Sequence, residues 1–125
     1  MVFGCDIESG ALIGVRAKDG ERLWETTEPT IGNRERGRHG TAFIVYHAES
    51  GGYFLFSETG ELILADLSAE GYREKGRHQV IEPTNRTGNH PVVWSHPAFA
   101  ERSLFTRNDK EIVCVDLAAG SYGGY

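Results

Sequence analysis

The sequence predicts an all-β chain assembled from repeated antiparallel units. Three observations predict it. A short apolar segment recurs at a spacing of fifty residues: Gly10-Ala11-Leu12-Ile13-Gly14-Val15, Gly60-Glu61-Leu62-Ile63-Leu64-Ala65 and Lys110-Glu111-Ile112-Val113-Cys114-Val115. Each copy runs on to a small-residue turn with a glycine, at Asp19-Gly20, Glu70-Gly71 and Ala119-Gly120. No segment carries apolar residues at helical spacing over three turns. Fixed-period self-similarity marks a repeat architecture, in which each unit buries its apolar face on its neighbours.

Val2-Phe3-Gly4-Cys5 ends at Glu8-Ser9-Gly10, and Leu12 to Val15 follows at once. Two apolar runs flanking a glycine turn read as a hairpin. Asp19-Gly20 tolerates the positive φ that tight turns need, and it leads into Leu23-Trp24-Glu25-Thr26 as a third strand. Residues 28–40 carry breakers and no periodicity, so they read as a long loop. Thr41 to His47, Tyr53 to Phe56, Leu62 to Leu67 and Tyr72 to Ile81 read as four strands, with turns at Gly51-Gly52, Gly60 and Gly71. A second loop runs from Glu82-Pro83-Thr84 to about Pro91. It opens on the same tripeptide as Glu28-Pro29-Thr30. Val92 to Trp94 and Ala98-Phe99, then Leu104-Phe105, then Ile112 to Leu117 give three more strands.

Sequential antiparallel strands in units of roughly 40–50 residues are the pattern of propeller blades. The expected fold is therefore a partial β-propeller of about three blades, with three, four and three strands. Glycine turns also suit a sandwich, which is the competing all-β arrangement. The expected bounds are a partial blade at 1–28, a full blade at 41–82, a partial blade at 92–119 and a flexible tail at 120–125.

The 125 residues suffice for one domain with a core. A net charge of −5 gives no global reason to expect nucleic acid. The start, Met-Val-Phe-Gly-Cys-Asp, lacks the basic and apolar regions of a signal peptide. No apolar run approaches the ~20 residues that a membrane-spanning helix needs. Cys5 and Cys114 read as two half-buried thiols, and they can form a disulfide only if the first and third repeats meet.

Asp19-Gly20-Glu21-Arg22-Leu23-Trp24, with Trp24 four residues after Gly20, resembles the blade motif of the pyrroloquinoline-quinone-like (PQQ-like) repeat propellers. Ala65-Asp66-Leu67 and Val115-Asp116-Leu117 are similar to the strand segment before that family's turn. His96 through Leu117 is similar to the closing part of bacterial proteins carrying this repeat. The resemblance implies that Trp24, Asp66 and Asp116 serve blade docking and not catalysis. It also implies a periplasmic or extracytoplasmic setting. Arg16 departs from the motif's usual Asp, and Lys75 stands four residues after Gly71 in place of the docking Trp. The family's quinoprotein dehydrogenases hold PQQ with calcium in a complete ring, often over a vicinal Cys pair, and this sequence has no such pair.

In a propeller, the turns between strands two and three share a face with the loops between blades. The two long loops would bring Arg34, Arg36, Arg38 and His39 toward Asn85, Arg86, Asn89 and His90, with His96 just beyond. Converging basic and amide groups suit an anion or an acidic peptide. The plain alternative is a solvated loop whose arginines pair with Glu28, Glu35 or Glu82. His39, His90 and His96 fit no zinc spacing. Ser95, His96 and Asp109 could be drawn as a triad, but nothing places the serine on a strained elbow. Asn85-Arg86-Thr87 fits a glycosylation acceptor, which matters only in a glycosylating pathway. No catalytic residue, metal or cofactor is expected. The expected role is a non-catalytic binding or scaffold module, and a quinoprotein dehydrogenase fragment is the rival. Three partial blades leave apolar faces open, so further blades, a protein partner or a second copy are expected to cover them.

Overall fold

The computed structural model describes residues 1–32, 39–88 and 90–118, and among these every regular element is a β-strand. β1 (Val2–Asp6), β2 (Ala11–Val15) and β3 (Arg22–Thr26) form the first sheet. β4 (Ala42–His47), β5 (Gly52–Ser57), β6 (Glu61–Ser68) and β7 (Gly71–Gln79) form the second. β8 (Asn85–Thr87) and β9 (His90–Val92) pair as a separate hairpin. β10 (Ala98–Ala100), β11 (Ser103–Arg107) and β12 (Ile112–Asp116) form the third sheet. Every pairing is antiparallel between consecutive strands, and no sheet closes into a barrel. The all-β fold and the sheets of three, four and three strands are as expected, with one additional hairpin.

The second sheet lies between the other two. Leu55, Ile63, Ala65 and Leu67 pack with Leu12 of the first sheet, and Phe3, Cys5 and Trp24 close that layer. Phe56 and Leu62 pack with Leu104 of the third sheet and with Ile81 and Val93 from the loop between them. Phe54 stacks on Phe99 at 5.3 Å between ring centroids in this second layer. A strand buried on both faces carries a continuous apolar run instead of an alternating one. That is why Tyr53-Phe54-Leu55-Phe56 has no polar position. β12 belongs to an outer sheet and alternates, with Val113 and Val115 turned to the core and Ile112, Cys114 and Asp116 exposed. Leu12, Leu55, Phe56, Ile63 and Leu104 are fully buried, each stabilising the stack by about 1.5–3 kcal/mol.

Several boundaries differ from the sequence reading. Val80 and Ile81 leave the sheet after β7, and both of their amides donate to the Gly60 carbonyl, at 3.0 and 3.3 Å. Gly60 has φ 86°, and a Cβ there would lie 2.9 Å from Gln79 Nε2 and closer still to the Ile81 carbonyl oxygen. Gly10 also lies against an isoleucine, Ile31, though there it is the side chain, 2.9 Å away at Cγ2, that a Cβ would meet. Gly10 and Gly60 are fifty apart, as are Ile31 and Ile81. The loops therefore share a register set by isoleucine closing on glycine, and the shared Glu-Pro-Thr tripeptide is offset from it. Accordingly Pro29 and Thr30 are buried, whereas Pro83 and Thr84 are only half-buried.

The second loop also contains β8 and β9, where a plain loop was expected. Pro91 is tolerated opposite Arg86 because a two-stranded hairpin leaves one side of each strand unpaired. Val93 and Trp94 lie in no strand, and the third sheet begins at Ala98. Cys5 is half-buried, but Cys114 is exposed on the third sheet; both thiols are free, and the second sheet stands between their sheets. Part of the first loop and the tail at 120–125 lie outside the described residues.

Candidate site at the loop edge

Trp24 sits in β3 opposite Gly14 of β2. A Cβ at Gly14 would stand 2.6 Å from Trp24 Nε1 and 2.7 Å from its Cζ2, so the glycine makes room for the ring. The indole Nε1 donates to the Ser68 carbonyl of the second sheet at 2.7 Å, and the ring packs in the layer between the two sheets. One register shift leaves Leu23 as a bulge beside this pair, and another leaves Lys75 as a bulge in the second sheet. Gly76 then faces Leu64 as Trp24 faces Gly14. The structural counterpart of Trp24 is therefore Gly76 and not Lys75. Both repeats carry the bulge at the same place, and it is the longer path from Ala65 to Glu74 than from Val15 to Arg22 that displaces the match.

Lys75 instead pairs with Asp66 at 2.9 Å, and Arg73 holds the same carboxylate. These cations, Lys75 first, keep the Asp66 carboxyl below the usual carboxylate range. In the first repeat the signs are exchanged: Arg16 bridges Asp19 at 2.8 Å and Glu21 at 2.6 Å. Asp66 thus serves a surface ion cluster, and Asp116 accepts the Ala118 amide at 2.8 Å.

The edge where the loops gather is organised by Glu58, in the turn between β5 and β6. Glu58 is 1 % exposed. Its Oε2 accepts from Trp94 Nε1 at 2.8 Å, and its Oε1 accepts from His90 Nε2 at 3.2 Å. Its carbonyl accepts the Val93 amide at 2.6 Å, while its own amide donates to the Thr41 carbonyl at 3.2 Å. One buried carboxylate therefore ties β9 and the segment after it onto the second sheet. Carboxylates buried this way require such partners, since isolated burial is costly.

The sequence-predicted residues distribute unevenly around this centre. Asn85 and Arg86 lie on β8 and His90 on β9. His90 is committed to Glu58. His96 donates from Nδ1 to the Pro97 carbonyl at 2.8 Å, with its ring 4.5 Å from Phe43. His39 is exposed, with φ 77°, and its amide donates to the Ile7 carbonyl at 2.8 Å. The three histidines make three different contacts. Arg34, Arg36, Arg38 and Asn89 lie outside the described residues. Asn85 and Arg86 line a cavity of about 330 Å³ with Trp94, Ser95, Arg107 and Asp109.

Sequence reading missed Glu58, Trp94 and Arg107 as members of this edge. Ser57-Glu58-Thr59-Gly60 reads as an exposed turn, and only the second loop folding across it buries the carboxylate. The available signal was a tryptophan stranded in a polar loop, since a large aromatic with an N–H seeks both packing and an acceptor.

No protein-family model, curated protein or solved structure matches the chain.

Proposed function

We propose that this chain is a non-catalytic binding or scaffold module, a PQQ-like partial propeller completed by further sheets from a longer polypeptide or from a second copy. The observation that carries the reading is the unequal cover of the three sheets. The second has a sheet on each face, whereas the first and third have a packed sheet on one face only among the described residues. On the open side of the third sheet Phe105 is 38 % exposed and Ile112 76 %; on that of the first Val2 is 57 % exposed at the rim, while Ala11 and Ile13 on the same face are buried. Open apolar faces of this kind mark interaction surfaces. Repeat logic supports the same answer, because the face that a third sheet leaves open is the kind its neighbour covers inside the stack.

The contact surface for a partner is the loop edge. Arg86 and His90 stand there on a hairpin held by Glu58, with His96 in the segment that follows it, and the reading adds Arg34, Arg36, Arg38 and His39 from the first loop by repeat position. An extracytoplasmic setting follows from the family resemblance alone. The test is to add PQQ with calcium to the folded chain and follow its melting temperature and the quinone absorbance. The expected result is no change in either. Tight quinone binding with alcohol-dependent reduction would replace the scaffold reading by the dehydrogenase one.

A further inference from the structure

The cavity beside Trp94 is built for a particular kind of ligand. Its walls are fixed from within. Asn108 Oδ1 accepts the amides of Lys110 and Glu111 at 2.8 and 2.9 Å, and its Nδ2 donates to the Glu82 carbonyl at 2.8 Å. Thr84 Oγ1 accepts the Asp109 amide at 2.9 Å. Trp94 is 53 % exposed although its Nε1 is committed to Glu58. The indole is thus anchored at one edge while much of its surface remains open. An anchored, exposed aromatic is a platform whose ordering cost has been met before a ligand arrives.

The polar groups lining the cavity lean toward donors. Arg107 has no carboxylate partner among the described residues, and its hydrogen bond to the Asn108 carbonyl is long, at 3.5 Å. By contrast Arg16, Arg22, Arg73 and Arg77 are all paired with carboxylates. Arg86 and Ser95 stand on the same lining, with one acid, Asp109. Ser95 and Arg107 also border an adjoining cleft with His96 and Thr106. The Thr106 hydroxyl is buried and has no hydrogen-bond partner among the described residues. The Arg107 guanidinium calls for a carboxylate, and the indole calls for a C–H face. Asp109 Oδ2 accepts only a long hydrogen bond from the Thr84 hydroxyl, at 3.5 Å, and its Oδ1 has room for a further hydroxyl donor.

We propose that this cavity binds a uronate, a sugar ring bearing a carboxylate, with Arg107 on the carboxylate, Asp109 on a hydroxyl and Trp94 against the ring. The proposal rests on the loop edge being the contact surface, and it names the ligand chemistry of that edge. An acidic peptide side chain would satisfy Arg107 but would bring no hydroxyl to Asp109 Oδ1, since the Thr84 hydroxyl reaches only Oδ2.

Isothermal titration of the full chain with glucuronate, glucose and N-acetylglutamate amide tests it, with the association state measured in the same buffer. Glucuronate is expected to bind at least about tenfold more tightly than glucose, and Arg107→Met to weaken it at least about tenfold, the loss of a charge-assisted contact. Arg107→Met is expected to leave the unfolding midpoint unchanged, and its affinity is compared at matched association state because Arg107 pairs opposite Ile112. Equal affinity for glucose and glucuronate overturns the proposal, as does indifference to Arg107→Met. N-acetylglutamate amide binding more tightly than glucuronate also overturns it and assigns the cavity to an acidic peptide. Association without glucuronate binding overturns the cavity proposal alone, whereas glucuronate binding by a well-folded monomer that takes up no apolar dye overturns the completion-by-sheets reading alone.

Discussion

Gly14→Ala is expected to destabilise the chain far more than a surface glycine substitution does. The added methyl would stand 2.6–2.7 Å from Trp24 Nε1 and Cζ2, and carbon pairs relax only at about 3.5–4.0 Å. The indole must therefore retreat by roughly 1 Å. That retreat strains the layer between the first two sheets and stretches the 2.7 Å hydrogen bond from Nε1 to Ser68. Overpacking costs about 1–3 kcal/mol and the lost hydrogen bond about 0.5–1.5 kcal/mol. Reduced freedom in the unfolded chain returns about 0.4–1 kcal/mol. The net expectation is a loss of about 1.5–3 kcal/mol. Urea unfolding followed by circular dichroism at fixed protein concentration measures it. The cycle with Trp24→Ala isolates the cause, because removing the ring should remove most of the penalty. A Gly14→Ala chain as stable as the parent, or a penalty undiminished in the Trp24→Ala background, would refute the close approach of ring and glycine.

Three further outcomes follow from other parts of the fold. Glu101 and Arg102 form the two-residue turn of the third sheet with φ 50° and 57°, a conformation that costs non-glycine residues about 1–2 kcal/mol each. Arg102→Gly should raise stability by about 0.5–1 kcal/mol after its own entropic cost, read as a higher urea midpoint. Burial pushes the Cys5 thiol up, and the thiol donates to the Ala42 carbonyl, while Cys114 is exposed. In a chain carrying Phe105→Glu and Ile112→Glu, which leaves the outer face of the third sheet uncovered, a maleimide should label Cys114 first and reach Cys5 only on unfolding, which peptide mass mapping checks. Glu58→Ala removes the acceptor for Trp94 and His90, and should cost about 1–3 kcal/mol. It should also red-shift the Trp94 fluorescence, read in a Trp24→Phe background.

Most of the sheet structure was legible because burial writes itself into the sequence as periodicity. The run Tyr53 to Phe56 and the segment Leu62 to Leu67 announce a strand pair covered on both faces, and the fifty-residue spacing carries the strand assignment to β2 and β12, though not the two-sided cover to β12. What the sequence hid depends on contacts between segments. The path from Ala65 to Glu74 is longer than that from Val15 to Arg22, so counting four residues from Gly71 as from Gly20 reaches Lys75, whereas the pairing sets Gly76 where Trp24 stands. Ala100-Glu101-Arg102-Ser103 turns tightly without glycine or asparagine. The Glu-Pro-Thr tripeptide is a conspicuous coincidence, whereas the structural equivalence rests on Gly10 with Ile31 and Gly60 with Ile81. At the loop edge Asn85, Arg86 and His90 were legible as a polar cluster. The buried Glu58 beneath them was not, because its burial is imposed by a loop more than thirty residues away in the chain.

The central claim is that a stack of three sheets with open apolar end faces needs further sheets to be complete. Size exclusion with light scattering on the folded chain tests it most directly. The account predicts an assembly larger than the 13.8 kDa monomer, which Phe105→Glu combined with Ile112→Glu shifts toward monomer. A well-folded 13.8 kDa monomer that binds no apolar dye and is unmoved by those substitutions would contradict it.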